Sequence, residues 1–210
     1  MIEDDSFRDA GGEKLPLVEE FFSIQGEGFH AGKAAYFIRL GGCDIGCRWC
    51  DTPFSWDPGL HPLVETDSII ANAVSSGAGS VVVTGGEPFM WHLDYLCSHL
   101  KQNNISTFAE TSGAYPLSGE WDWICLSPKR SRPPLKEVCG AADELKVIIE
   151  DENDFLWAEK NRKLVNPGCL LFLQPEWSRF SEVIPDIVSY VRRNTEWRIS
   201  LQIHKFMHIP

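Results

Sequence analysis

Short, almost wholly apolar runs, each closed by a compact polar motif, set the strongest limit on how this chain can fold. Ala34-Ala35-Tyr36-Phe37-Ile38-Arg39-Leu40 runs into Gly41-Gly42, and Ser80-Val81-Val82-Val83-Thr84 into Gly85-Gly86-Glu87-Pro88. Ile105 to Ala109 ends at Glu110-Thr111-Ser112-Gly113, Trp123 to Leu126 at Ser127-Pro128-Lys129, and Cys169 to Leu173 at Gln174-Pro175-Glu176-Trp177. Leu145 to Ile149 is a further run of this type. Apolar runs without polar alternation suit strands buried on both faces, as in a parallel sheet.

Helical patterns separate the runs. Thr66 is an N-cap candidate for a helix that ends at Gly77 and Gly79. Others are expected over roughly Trp91 to Gln102, Asn153 to Lys163 and Ile184 to Arg193. Arg198 to Ile203 alternates and predicts a last strand, with His204 on its polar face beside Gln202. Strands alternating with helices predict an α/β fold. About six core strands are too few for a closed eight-fold barrel, and Ser127 to Ala142 is irregular where a helix is expected. The expectation is a trimmed, partial (β/α)6-type barrel with a reduced helix complement. Its strand ends, with their polar motifs, would meet on one rim, where barrel active sites lie.

Residues 1–14 are acidic and polar and predict a loose leader; residues 15–210 predict one catalytic domain. The acidic N-terminus has no apolar core and no run approaches a membrane span, so a cytoplasmic protein is expected, without membrane contact. A net charge of −11 argues against gripping nucleic-acid phosphates and toward a small-molecule partner.

Three of the seven cysteines, Cys43, Cys47 and Cys50, fall in one loop with C-x3-C-x2-C spacing. An odd number without framework spacing, in a reducing compartment, favours metal binding over disulfides. Three thiolates can hold an iron–sulfur cubane and leave one iron open. Zinc wants four ligands, and Cys97, Cys125, Cys139 and Cys169 are scattered, with Cys125 and Cys169 in apolar strands. A zinc-stabilised binding module completed by one of them is the alternative. Arg39 interrupts an apolar run and must meet an anion, either a carboxylate of the chain or a ligand. Gln25-Gly26-Glu27-Gly28 is either an ordinary turn or a place where the backbone approaches a ligand.

The cysteine loop followed by Gly85-Gly86-Glu87-Pro88 resembles the radical S-adenosylmethionine (SAM) superfamily. Gln25-Gly26-Glu27-Gly28, Phe37-Ile38-Arg39-Leu40, Cys50-Asp51-Thr52, Thr84 to Pro88, Ser127-Pro128-Lys129 and Leu173-Gln174-Pro175 narrow the likeness to the 7-carboxy-7-deazaguanine synthases. It covers most of the stretch from Leu15 to Pro210. The resemblance implies a radical SAM barrel and a lyase. It would convert 6-carboxy-5,6,7,8-tetrahydropterin to 7-carboxy-7-deazaguanine with loss of ammonia, in queuosine and 7-deazapurine biosynthesis.

It also implies residue roles. Cys43, Cys47 and Cys50 would carry a [4Fe–4S] cluster, whose open iron binds SAM. Trp49, Cys50, Asp51, Gly86, Ser127, Pro128, Lys129, Gln174, Pro175, Glu176 and Trp177 would hold SAM. Ile24, Gln25, Gly26, Arg39, Thr84 and Pro210 would bind the pterin, with help from His204. Thr52 would be a Mg²⁺ ligand. A flavodoxin or ferredoxin would donate electrons to a homodimer. A small radical SAM activase of a glycyl radical enzyme would share the cysteine loop without the pterin contacts.

Overall fold

The computed structural model describes residues 11–210. Most of the expected leader, residues 1–10, lies outside them. Its last part is tied down, because the Thr66 hydroxyl donates to the Gly12 carbonyl at 2.6 Å and Lys14 already stands in the first strand. Thr66 is consequently the first residue of its helix, preceded by Glu65, and not the cap.

The strands are β1 (Lys14–Ile24), β2 (Ala34–Leu40), β3 (Leu63–Glu65), β4 (Ser80–Gly85), β5 (Ser106–Thr111), β6 (Trp123–Leu126), β7 (Glu144–Ile149), β8 (Leu170–Pro175) and β9 (Trp197–Ile199). They form one sheet in the order β3-β1-β2-β4-β5-β6-β7-β8-β9. β1 runs antiparallel to β2 and β3, and every other pairing is parallel. The sheet is open, with β3 and β9 at its edges, as a partial barrel requires.

The helices are α1 (Thr66–Ser75), α2 (Asp94–Gln102), α3 (Lys136–Ala141), α4 (Asn153–Arg162), α5 (Phe180–Arg193) and α6 (Ile203–Met207). Two expectations need correction. The trimmed connection is the irregular one between β5 and β6, whereas the Ser127 to Ala142 stretch does contain a helix, the short α3. The last strand stops at Ile199, and His204 lies on α6 instead. The strand ends because Ser200 turns into the barrel, where its hydroxyl donates to Gln174 Oε1 at 2.7 Å. The Ile203 amide then bonds the Gly26 carbonyl at 2.9 Å, which draws the backbone away from β8.

The two faces of the parallel strands differ in chemistry. Ile38, Leu40, Val81, Val83, Ala109, Leu145, Val147 and Leu173 point outward into the core shared with Ile69, Leu96, Leu100, Val138, Ala158 and Ile187. Inward positions begin apolar, with Phe37, Val82 and Phe108 packed on Phe21 and Trp123. Two residues further along β2, β4 and β5 they become polar. Arg39 follows Phe37, Thr84 follows Val82, and Glu110 follows Phe108. Register keeps Arg39 level with Thr84, while in β7 the order is reversed, Lys146 lying beside Phe172 and Ile148 beside Gln174. Period-two alternation thus builds an aromatic floor and a polar layer above it.

Candidate active site

Above that floor lies a cavity of about 740 Å³. Its wall draws on β1, on the loop after β2, and on the ends of β4 through β8, so the sheet curls around it. Cys43, Cys47 and Cys50 face it from one side, and Arg39, Thr84, Glu110, Lys146 and Gln174 from within the barrel.

The cysteine loop is fixed by backbone bonds. The Gly42 amide donates to the Ser55 carbonyl at 2.7 Å and the Cys43 amide to the Trp56 carbonyl at 3.0 Å. The Glu87 amide donates to the Gly42 carbonyl at 2.7 Å, which staples the loop to the end of β4. A Cβ on Gly86 would come within 2.2 Å of Gly42 O, so only glycine permits this approach. Glu87 itself is 1 % exposed. Its carboxylate accepts from the Thr111 hydroxyl, the Ser112 amide and the Ser112 hydroxyl. Both oxygens are used to tie β4 to β5, leaving Gly86 to face the cavity.

The three thiols are half-buried and free. Burial pushes the Cys43 thiol up to about 11 and raises Cys47 as well; a bound metal would reverse this by deprotonating them outright. Among the described residues, no three His, Cys, Asp or Glu side chains are gathered so as to hold a lone metal ion. Cys97, Cys125, Cys139 and Cys169 are buried and do not line the cavity. A set of three thiols on one wall suits a multinuclear cluster with an open position.

Opposite the thiols stands a network that the sequence reading missed. Lys146 is buried and pairs with Glu27 and, at 3.0 Å, with Glu110. Gln202 donates to Glu27 and Gln25 to Glu110, each at 2.8 Å. Burial alone would raise the Glu27 carboxyl, but the Lys146 ammonium and hydrogen bonds from Lys146, Gln202 and Gln174 outweigh it and hold it at about 2. Burial would likewise lower Lys146, and the acidic groups around it, Glu110, Glu27 and Glu144 among them, raise it instead. The signal was available: a lysine inside Leu145-Lys146-Val147-Ile148-Ile149 must find a partner, just as Arg39 must.

The predicted residues are mostly brought together. Ile24, Gln25, Gly26, Thr52, Thr84 and Pro210 line the cavity, as do Trp49, Asp51, Gly86, Ser127, Lys129, Gln174, Pro175, Glu176 and Trp177. Pro128 does not; its carbonyl accepts from Trp157 behind the wall at 3.3 Å. Arg39 meets a carboxylate of the chain, its Nε bonding Glu19 at 2.7 Å, and the residue also lines the cavity. Lys129 donates to the carbonyl and hydroxyl of Ser127, each at 2.6 Å, and sits 5.2 Å from the Trp49 ring centre. Glu176 caps the turn that follows β8, accepting from the amides of Ser178 and Arg179. Pro210 is held by the Ser23 hydroxyl at 3.1 Å.

Comparison with known proteins decides the family. Residues 37–134 match the model of the radical SAM superfamily. A 7-carboxy-7-deazaguanine synthase of Flavobacterium psychrophilum is 54% identical over 95% of this chain and 94% of its own length. The chain belongs to the 7-carboxy-7-deazaguanine synthase family. The synthase of Synechocystis is 45% identical over 92% of this chain and 93% of its own. The crystal structure of QueE from Escherichia coli superposes with a TM-score of 0.79 at 26% identity, covering 90% of this chain and 93% of that one. Membership of the radical SAM superfamily implies a [4Fe–4S] cluster and SAM, and the three-thiol wall of this synthase-family chain has the donor set for the former. Among the described residues, no helix is long and apolar enough to cross a membrane.

Proposed function

We propose that the protein is a lyase converting 6-carboxy-5,6,7,8-tetrahydropterin to 7-carboxy-7-deazaguanine with loss of ammonia. The observation that carries this reading is the single cavity in which the three thiols face the polar layer of Arg39, Thr84, Glu110 and Lys146. Cys43, Cys47 and Cys50 hold the cluster. Trp49, Asp51, Gly86, Ser127, Lys129 and the stretch from Gln174 to Trp177 hold SAM, with Pro128 supporting that wall from behind. When bound, the two cofactors would supply radical chemistry, and the residues named would hold them beside the pterin.

The chain's own residues bind and orient. Ile24, Gln25, Gly26 and Thr84 cradle the pterin. Arg39 and Pro210 flank it, and the Glu27–Lys146–Glu110 network offers fixed acceptors beneath. His204 lines the same cavity, and burial lowers its pKa, favouring the neutral ring there. Thr52 would offer a hydroxyl oxygen to Mg²⁺, which when bound would supply Lewis-acid chemistry toward the substrate carboxylate. A reduced flavodoxin or ferredoxin supplies electrons. The protein works as a cytoplasmic homodimer, residues 15–210 forming one catalytic domain behind a leader, on the route to queuosine and related 7-deazapurines.

Anaerobic incubation with SAM, reductant and carboxytetrahydropterin tests this reading, with and without Mg²⁺. Ammonia and a deazapurine product are expected from the parent, and neither from Cys47→Ala. Absence of both products from the iron-loaded parent would end it.

A further inference from the structure

Trp56 belongs to the irregular stretch after the cysteine loop, whose carbonyls hold that loop in place. Its indole Nε1 stands 3.3 Å from the Cys50 sulfur. The same residue's carbonyl accepts the Cys43 amide at 3.0 Å. A single turn of 3₁₀ helix, Pro53–Ser55, presents both groups, and the Ser55 hydroxyl locks that turn by donating to the Thr52 carbonyl at 2.7 Å. One residue therefore touches two of the proposed cluster ligands, at opposite ends of their loop. The Thr52 hydroxyl, at 3.7 Å from the same sulfur, is a more distant neighbour.

We propose that Trp56 is a positioning residue for the cluster: its indole N–H hydrogen-bonds the Cys50 sulfur and makes the cluster easier to reduce. The proposal rests on the reading of Cys43, Cys47 and Cys50 as cluster ligands. An indole is a donor and nothing else, so its partner here is the sulfur lone pair. One electron added to the cluster raises the negative charge on its thiolates. A fixed N–H aimed at one of them stabilises the reduced state more than the oxidised one. Hydrogen bonds to the sulfurs are among the main settings of such potentials.

The test is the midpoint potential of the anaerobically reconstituted protein, without SAM, followed by electron paramagnetic resonance. Trp56→Phe keeps an aromatic ring and loses the donor. Replacing Trp56 with β-(3-benzothienyl)alanine keeps the shape, with sulfur in place of N–H. At iron and sulfide contents equal to the parent's, both are expected to shift to a more negative potential. In D₂O, the parent is expected to show an exchangeable deuteron coupled to the cluster that the isostere lacks. If Trp56→Phe fails to assemble, the isostere decides. A loaded isostere with the parent's potential overturns the role of Trp56 alone. A parent that takes up no iron or sulfide overturns the cluster reading and this proposal together.

Discussion

A Cβ on Gly26 would lie 2.1 Å from Nδ1 of His204, so the turn after β1 and the helix α6 meet backbone against ring. The Ile203 amide, bonded to the Gly26 carbonyl at 2.9 Å, completes the contact. Glycine is required here by the chain's own histidine, whatever a ligand also needs. Gly26→Ala must push α6 aside, together with Gln202 and Lys205 in the cavity wall. Overpacking of this kind costs about 1–3 kcal/mol. The variant should melt earlier and show a raised KM for the pterin; an unchanged KM would remove α6 from the substrate site.

Glu87→Gln tests the staple between β4 and β5. The Glu87 oxygens accept from Thr111 Oγ1 at 2.5 Å, Phe89 N at 3.2 Å and Ser112 N at 2.7 Å. An amide must turn its NH₂ toward one of these donors. The expected loss is about 1–3 kcal/mol in urea unfolding, with the cysteine loop loosened because the Glu87 amide holds Gly42. Parental stability in Glu87→Gln would mean that the buried bonds are not formed in solution.

Acid should weaken the fold through Glu27. Its folded carboxyl titrates at about 2, against an ordinary value of 4.5. A carboxyl held low contributes its stability above 4.5, and that contribution is lost as pH falls from there to about 2. Lys146→Met should remove this component of the acid sensitivity. Leaving Glu27 and Glu110 without their cation should also cost about 3–5 kcal/mol near neutral pH. The double variant with Glu27→Gln should recover part of that loss. Urea unfolding across the acid range reads each arm, and an unaltered acid slope in Lys146→Met would contradict the pairing.

Thr52→Ala separates the two metals proposed for one loop. Iron and sulfide contents should match the parent's, because the cluster ligands are untouched. The Mg²⁺ concentration for half-activation should rise about tenfold or more, by analogy with the loss of one supporting contact at a metal site. A magnesium titration of product formation checks this, and an identical titration curve would take Mg²⁺ away from Thr52.

The sequence made most of this site legible because strand ends in a parallel sheet converge, so motifs separated along the chain could be placed on one rim. Arg39 is one case: a charge in an apolar run has to find an anion, and it finds Glu19. Lys146 obeys the same rule but carries no Gly-rich motif beside it to mark it as part of a site. The α6 error has a different origin. Alternation in Arg198 to Ile203 is genuine, but Ser200 is bound to Gln174 and Gly28, contacts from distant segments that no local pattern reports. Trp56 was invisible for the same reason, since its value lies in touching Cys43 and Cys50 across a turn.

The cavity wall joins Phe21 and Ile24, near the start of the described chain, to Gln202, His204 and Lys205 near its end. During synthesis the N-terminal side emerges first. Cys43, Cys47 and Cys50 therefore leave the ribosome well before the residues that will face them across the cavity. In that interval the thiols are open to oxidation and to stray metal ions. The same three thiols stay half-buried in the folded chain and line the cavity, so a cluster can still be delivered once the wall has closed, provided the thiols have been kept reduced until then.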